Sequence, residues 1–436
     1  MADIKTRVFM TGATGVMGSE GLKELLKYPE KYDLTILARP SKKNQKKLNK
    51  YIQQGINVIW GDLLDKDKLA QGINDSDIVL HVGGLVSPEA DKNPRKTLEV
   101  NVGSMKHIAD IVAEIEKTNP KRIIKVVYIG SVSQYGSFLP PNHWGKVGNT
   151  LSAALYDAYA LSKIEAERIL VESGLRKWVS LRQTAILHPG LLKKANDPIS
   201  FHVPLKGAIE WVSVEDSGRL LERVCRPEVP DSFWCNYYNV GGGESYRLIN
   251  YQFERELLKA LGCPSPEKIF DTQWFATDNF HGIWFEDSDE LDTVLNFRDG
   301  KTFEESLHNM KKTLPFYFKL APLAPSIIIK KFMEKVAHTP ELGTLWWIEN
   351  HRDDKIKAAW GNLENRSKIP GWKNLKIDYP ENKMAVKNSN PIRQHLSSEL
   401  RVVECKQGHK YKTSEILESG GHGCPYCLRE KTKIKE

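Results

Sequence analysis

Short apolar, β-rich runs recur along the first 240 positions, and amphipathic or polar stretches of helix length separate the early ones. The runs are RVFMTG from Arg7, LTILAR from Leu34, INVIWGD from Ile56, DIVLHVG from Asp77 and IKVVYIG from Ile124, with further strands expected at Val179–Leu181 and Asn236–Val240. Strands joined by helical crossovers pair in parallel, and right-handed crossovers cover both sheet faces with helices. The pattern therefore predicts an α/β fold, a doubly wound parallel sheet of Rossmann type with a smaller substrate-binding region. The rhythm fades after Thr313, where LPFYFKLAPLAPS brings in prolines and aromatics. Three units follow: 1–312 for cofactor and substrate, 313–390 as a helical or irregular connector, and 391–436 as a terminal module.

Composition narrows the class. Sixty-three Lys and Arg against 55 Asp and Glu leave a net charge of only +8, and 40% hydrophobic with 27% charged residues is a globular balance. The most apolar stretch, Pro315 to Ile329, contains Lys319 and three prolines and is shorter than the roughly 18 residues of a membrane span. No apolar leader precedes the first strand, so a cytoplasmic location is expected. Six cysteines are too few for a disulfide scaffold of this length.

Directly after the first strand, TGATGVMG places Gly12, Gly15 and Gly18 where a chain must turn, approach a pyrophosphate and pack a helix on the sheet. The helix start then offers its positive end to phosphates. The second strand ends at Arg39, where an acidic residue would accept from a free ribose hydroxyl. A guanidinium there favours a 2′-phosphate, with Lys42 or Lys43 assisting, so NADP(H) is expected ahead of NAD(H). Lys46, Lys47 and Lys50 read as the solvated face of a helix, and nucleic-acid binding is not expected.

Tyr159 and Lys163 stand four apart in YDAYALSKIEAERIL, on one helical face. A phenol titrates near pH 10, and a neighbouring ammonium favours its ionised form. Ser131, in GSVSQYG, is placed to hydrogen-bond the substrate oxygen that changes charge.

These segments resemble the extended short-chain dehydrogenase/reductases, the NAD-dependent epimerase/dehydratase family, over about residues 5–312. TGATGVMG is similar to the family's TGxxGxxG, and the resemblance implies cofactor contacts from Gly12, Thr14, Gly15, Val16, Met17 and Gly18. It further implies an adenine contact at Asp62 in GDLLD, further cofactor-binding positions at Leu63, Gly83 and Asn101, and the catalytic set Ser131, Tyr159 and Lys163, the last two also touching the cofactor. Two departures stand out. Arg182-Gln183 and His188-Pro189 replace the Arg-Pro and Gly-Pro of many nucleotide-sugar members, and only about twenty residues separate His188 from Trp211. The short loop and Arg39, together with dense aromatics including Trp274, Phe275, Phe280, Trp284 and Phe285, favour interconversion of hydroxyl and ketone on a bulky apolar small molecule, steroid-like or phenolic. Two alternatives stay open: a nucleotide-sugar epimerase or dehydratase, and a non-catalytic NADP-binding scaffold. A homodimer is expected by analogy with the fold.

The tail carries Cys405, His409, Cys424 and Cys427 as a C-x3-H and a C-x2-C pair, with His422 as a competing ligand. Four such donors suit tetrahedral zinc with no open position, hence a structural ion. The module resembles zinc ribbons.

Overall fold

The structure, a computed structural model, describes residues 5–87, 89–193, 197–315 and 324–381, with the backbone of 403–404 and 410–411. Seven strands form the central sheet: β1 (Thr6–Thr11), β2 (Tyr32–Ala38), β3 (Asn57–Trp60), β4 (Ile78–His81), β5 (Lys125–Ser131), β6 (Trp178–Gln183) and β7 (Asn236–Val240). Their order is β7-β6-β5-β4-β1-β2-β3 and every pairing is parallel. All seven match the apolar runs of the sequence. The order reverses beside β1, so β1 and β4 splay their connections to opposite sides and open a crevice at the carboxyl edge.

Alternation along each strand divides the apolar residues between two cores. Val8, Met10, Val127, Ile129 and Leu181 face one side, with Leu22 of helix α1 (Val16–Leu25) and Leu220 of the helix Val214–Arg223. Phe9, Val79, Val126 and Tyr128 face the other, with Met105, Ile108 and Ala166. These last three belong to the helices Pro94–Thr118 and Ala158–Glu172, whose tight packing sets the helix that carries Tyr159 and Lys163 against the sheet.

The smaller region is built from short strand pairs, among them Ala208–Glu210 antiparallel to Arg247–Ile249. It also takes in much of the stretch expected as a connector. The helices Ser326–Ala337, Thr344–Glu349, Asp353–Trp360 and Leu363–Ser367 belong to the same compact unit, which runs to residue 382. The reason is apolar: Met333, Val336 and Ala337 pack with Phe201, Phe270, Trp274 and Phe275, while Trp347, Ile356 and Trp360 pack around Ala276. Trp284 and Phe285 are also fully enclosed. Trp274, Phe275, Trp284 and Phe285, aromatics that suit a core as well as a cleft, thus form core, where burying one Phe contributes about 1.5–3 kcal/mol.

Residues 383–436 form a second unit. Within it Val403–Glu404 pairs antiparallel with Lys410–Tyr411. Cys405, His409, Cys424 and Cys427 lie outside the described residues. None of the described helices is long and apolar enough to cross a membrane.

Candidate active site

Gly12 follows the first strand with φ at +75°, and a Cβ there would sit 2.6 Å from the Gly83 amide nitrogen. Gly18 is held as closely, since its Cβ would fall within 2.2 Å of the Gly12 carbonyl. Only glycine allows both approaches. The Gly15 amide donates to the Gly12 oxygen at 2.9 Å, closing the loop under the start of α1. Val16 is exposed at that start, whereas the Met17 side chain is buried in the core and offers the site backbone alone. This cradle fits a dinucleotide: helix amides and glycine backbone converge at the carboxyl edge of β1.

Behind the loop lies a small polar relay. The Gly83 amide donates to Thr11 Oγ1 at 3.1 Å, and Thr11 Oγ1 lies 2.9 Å from His81 Nδ1. Ser104 Oγ donates to the Asn101 carbonyl at 3.3 Å and so accepts from His81 Nε2 at 3.2 Å, which leaves Nδ1 to accept the Thr11 hydroxyl proton. Burial pushes His81 down to about 3, so the ring is neutral. Leu63 borders the same loop, its Cδ1 3.2 Å from where a Gly83 Cβ would stand. Asp62 Oδ1 accepts from the Leu64 amide at 3.1 Å.

Asn101 borders the loop after β4, its Oδ1 2.8 Å from where a Gly84 Cβ would stand. Its Oδ1 accepts from the Leu85 amide at 2.8 Å, and its Nδ2 donates to the Leu85 carbonyl and to Ser162 Oγ. Asn101 thus fastens the loop after β4 to the helix Ala158–Glu172. Lys47 departs from the sequence reading. Instead of facing solvent only, its Nζ donates to the Thr14 carbonyl at 2.6 Å, because the helix Lys42–Ile52 lies over the glycine loop. Arg39 is exposed at the end of β2, and among the described residues its guanidinium makes no ion pair.

Ser131 is the last residue of β5, and Tyr159 and Lys163 rise from the first turns of Ala158–Glu172. Asp157 caps that helix, accepting from the Ala160 amide at 2.8 Å. Burial raises Tyr159 to about 12, nearby Asp157 adds to the rise, and a hydrogen bond with Ser131 opposes it. Lys163 is buried and donates to the Ile129 carbonyl at 2.7 Å, with its Nζ 5.8 Å from the Tyr159 ring centre. Burial lowers Lys163 to about 8, and Glu167 one turn on resists. Burial sets the direction for both groups, because loss of water disfavours the phenolate and the ammonium alike.

Ser133 escaped the sequence reading. It is fully buried and donates Oγ–H to Ser131 Oγ at 2.9 Å. The signal was only its place two residues after the candidate serine, too weak without the one-turn 3-10 helix Val132–Tyr135.

Comparison with known proteins bears on this geometry. Residues 8–190 match the model of the NAD dependent epimerase/dehydratase family. The chain is 25% identical over 111 residues to UDP-N-acetylglucosamine 4,6-dehydratase (inverting) of Campylobacter jejuni, a match spanning 25% of this chain and 33% of that protein. Among solved structures, a dTDP-glucose 4,6-dehydratase from Streptomyces venezuelae with NAD bound superposes with a TM-score of 0.56 at 17% identity, covering 70% of this chain and 96% of that one. UDP-N-acetylglucosamine 4-epimerase from Methanobrevibacter ruminantium gives 0.54 at 20% identity, covering 71% and 97%. The chain therefore has the Rossmann-type fold of these enzymes.

Proposed function

We propose that this protein transfers hydride to and from a sugar hydroxyl of a nucleotide-linked substrate, using a nicotinamide dinucleotide. One observation carries the reading: the glycine cradle and Ser131, Tyr159 and Lys163 stand at the same carboxyl edge of one sheet, within a stretch matching the NAD dependent epimerase/dehydratase family. A bound dinucleotide supplies the hydride acceptor and donor. Toward the ketone, the Tyr159 phenolate takes the hydroxyl proton; toward the alcohol, the Tyr159 hydroxyl gives it back. Ser131 hydrogen-bonds the same substrate oxygen, and Lys163 holds positive charge beneath the phenol.

Elimination of water beside a ketone needs a further acid and base. Residues 132–134, which follow Ser131, are Val, Ser and Gln and carry no carboxylate. This supports epimerisation over dehydration. Incubation with UDP-glucose and UDP-N-acetylglucosamine should produce a sugar epimer without net change in nicotinamide absorbance. No product from any nucleotide sugar, beside rapid NADPH oxidation by apolar ketones, would replace this reading with the apolar-substrate oxidoreductase.

Arg39 favours a second reading, net NADPH-dependent reduction of the same substrate class. Arg39→Ser should raise the KM for NADPH about 10- to 100-fold, the loss of a charge-assisted phosphate contact, and leave NADH within about threefold. Equal effects on both cofactors would remove 2′-phosphate recognition from Arg39.

For the tail, three thiolates and one imidazole are a donor set suited to closed tetrahedral zinc. The purified protein should hold about one zinc per chain, and Cys405→Ser should lose it with turnover largely retained. A metal-free wild-type protein rules the site out.

A further inference from the structure

A helix outside the family match reaches the segment that leads into the helix carrying Tyr159 and Lys163. Asp353–Trp360 places Lys355 Nζ 4.3 Å from the ring centre of Tyr156 and 5.9 Å from that of Trp347. Tyr156 stands three residues before Tyr159, with φ at +66°, a left-handed conformation that a bulky residue keeps only when its surroundings hold it. They do: Asn279 accepts from the Leu155 amide at 2.7 Å and donates to the Leu155 carbonyl at 3.1 Å. Thr277 and Asp278 in turn donate their amides to the Ala359 carbonyl. The helix carrying Lys355 and the loop carrying Tyr156 are thus tied through one segment.

Lys355 is partly buried yet has no hydrogen bond or ion pair among the described residues. Each acid around it is otherwise engaged. Asp354 pairs with Arg352 at 2.9 Å, Asp91 accepts from Ser87 Oγ at 3.0 Å, and Asp157 caps the catalytic helix with His281 Nδ1 3.5 Å from its other oxygen. The rim beside it is apolar and open, with Leu155 63% and Tyr156 53% exposed. A partly buried ammonium with no ion pair among the described residues, beside an exposed aromatic and aliphatic rim, has the chemistry of an anion anchor.

We propose that Lys355 anchors an anionic group of the substrate, phosphate or carboxylate, and so selects which molecules reach Tyr159. This rests on the nucleotide-linked reading above. Dinucleotide-loaded protein, its glycine cradle filled, would be titrated at low salt with inorganic pyrophosphate and with malonate, following tryptophan emission. UDP-glucose and UDP-glucuronate would be titrated by calorimetry.

In the wild type, one of the two simple anions should bind saturably. Pyrophosphate binding assigns a phosphate and malonate a carboxylate. Lys355→Met should weaken that anion and the matching nucleotide sugar about tenfold or more, while Lys355→Arg stays within about threefold. Dinucleotide affinity should hold in both variants, which also shows that they fold. The proposal is overturned if neither anion binds the wild type, or if Lys355→Met binds and turns over nucleotide sugar unchanged. Anion binding lost in Lys355→Met, in a protein that turns over no nucleotide sugar, would instead keep this anchor and remove the nucleotide-sugar reading.

Discussion

Replacing Tyr159 with Phe should lower kcat about 10²- to 10⁴-fold while leaving dinucleotide affinity within about threefold, the range a positioned proton donor or acceptor supplies. Phe keeps the ring that fills the space above Lys163 and loses only the hydroxyl held by Ser131. The wild-type pH profile should differ with direction. Alcohol oxidation needs the phenolate, and with burial holding Tyr159 near 12 that form is scarce at neutral pH, so the oxidation rate should climb steadily from about pH 5 to 7, below the range in which Lys163, lowered to about 8, loses its charge. Ketone reduction needs the protonated phenol and should stay level over the same interval. The oxidation slope should vanish in the Phe variant. Unaltered turnover in Tyr159→Phe would remove the phenol from the chemistry altogether.

The second large effect concerns stability. Arg182→Met should destabilise the protein by about 3–5 kcal/mol, read as a fall in the urea midpoint. The Arg182 and Glu167 side chains are only 6% and 4% exposed, and the guanidinium meets the carboxylate through Nε at 3.0 Å and a terminal nitrogen at 2.7 Å. Its other terminal nitrogen donates to the Tyr135 hydroxyl, which donates to Asn239, whose amide reaches Asp287 at 2.8 Å. Removing Arg182 alone leaves the Glu167 charge buried between the sheet and the catalytic helix. Adding Glu167→Gln should recover part of the loss, because a neutral amide has less hydration to forfeit. Equal midpoints for wild type and Arg182→Met would show that the pair holds nothing.

Arg182 also illustrates how far sequence reading reaches. It stood out as half of a departure from the Arg-Pro pattern, yet its partners lie 15 and 47 positions away in sequence. Likewise, nothing in LGTLWWIENHRDDKIKAAW indicates that Trp347 and Trp360 close over Ala276, or that Lys355 stands over Tyr156. The same spacing would suit a free-standing helical pair. Aromatic density between 274 and 285 was equally ambiguous, since core and cleft draw on the same side chains. The structure assigns Trp274, Phe275, Trp284 and Phe285 to the core because helices from beyond residue 325 and neighbouring loops cover them.

The seven strands, their parallel pairing, the glycine turn and the Tyr159–Lys163 spacing were all determined by the sequence itself. They depend on local periodicity and on backbone conformations that few residues tolerate. The tertiary structure alone decided the rest: which way burial moves Tyr159 and Lys163, that Asn101 fastens loops, that Lys47 grips the glycine loop, and which face the C-terminal helices cover. Each of those outcomes is a sum over groups remote in the chain and adjacent in space, and desolvation, which dominates the sum, exists only once the chain has closed around the site.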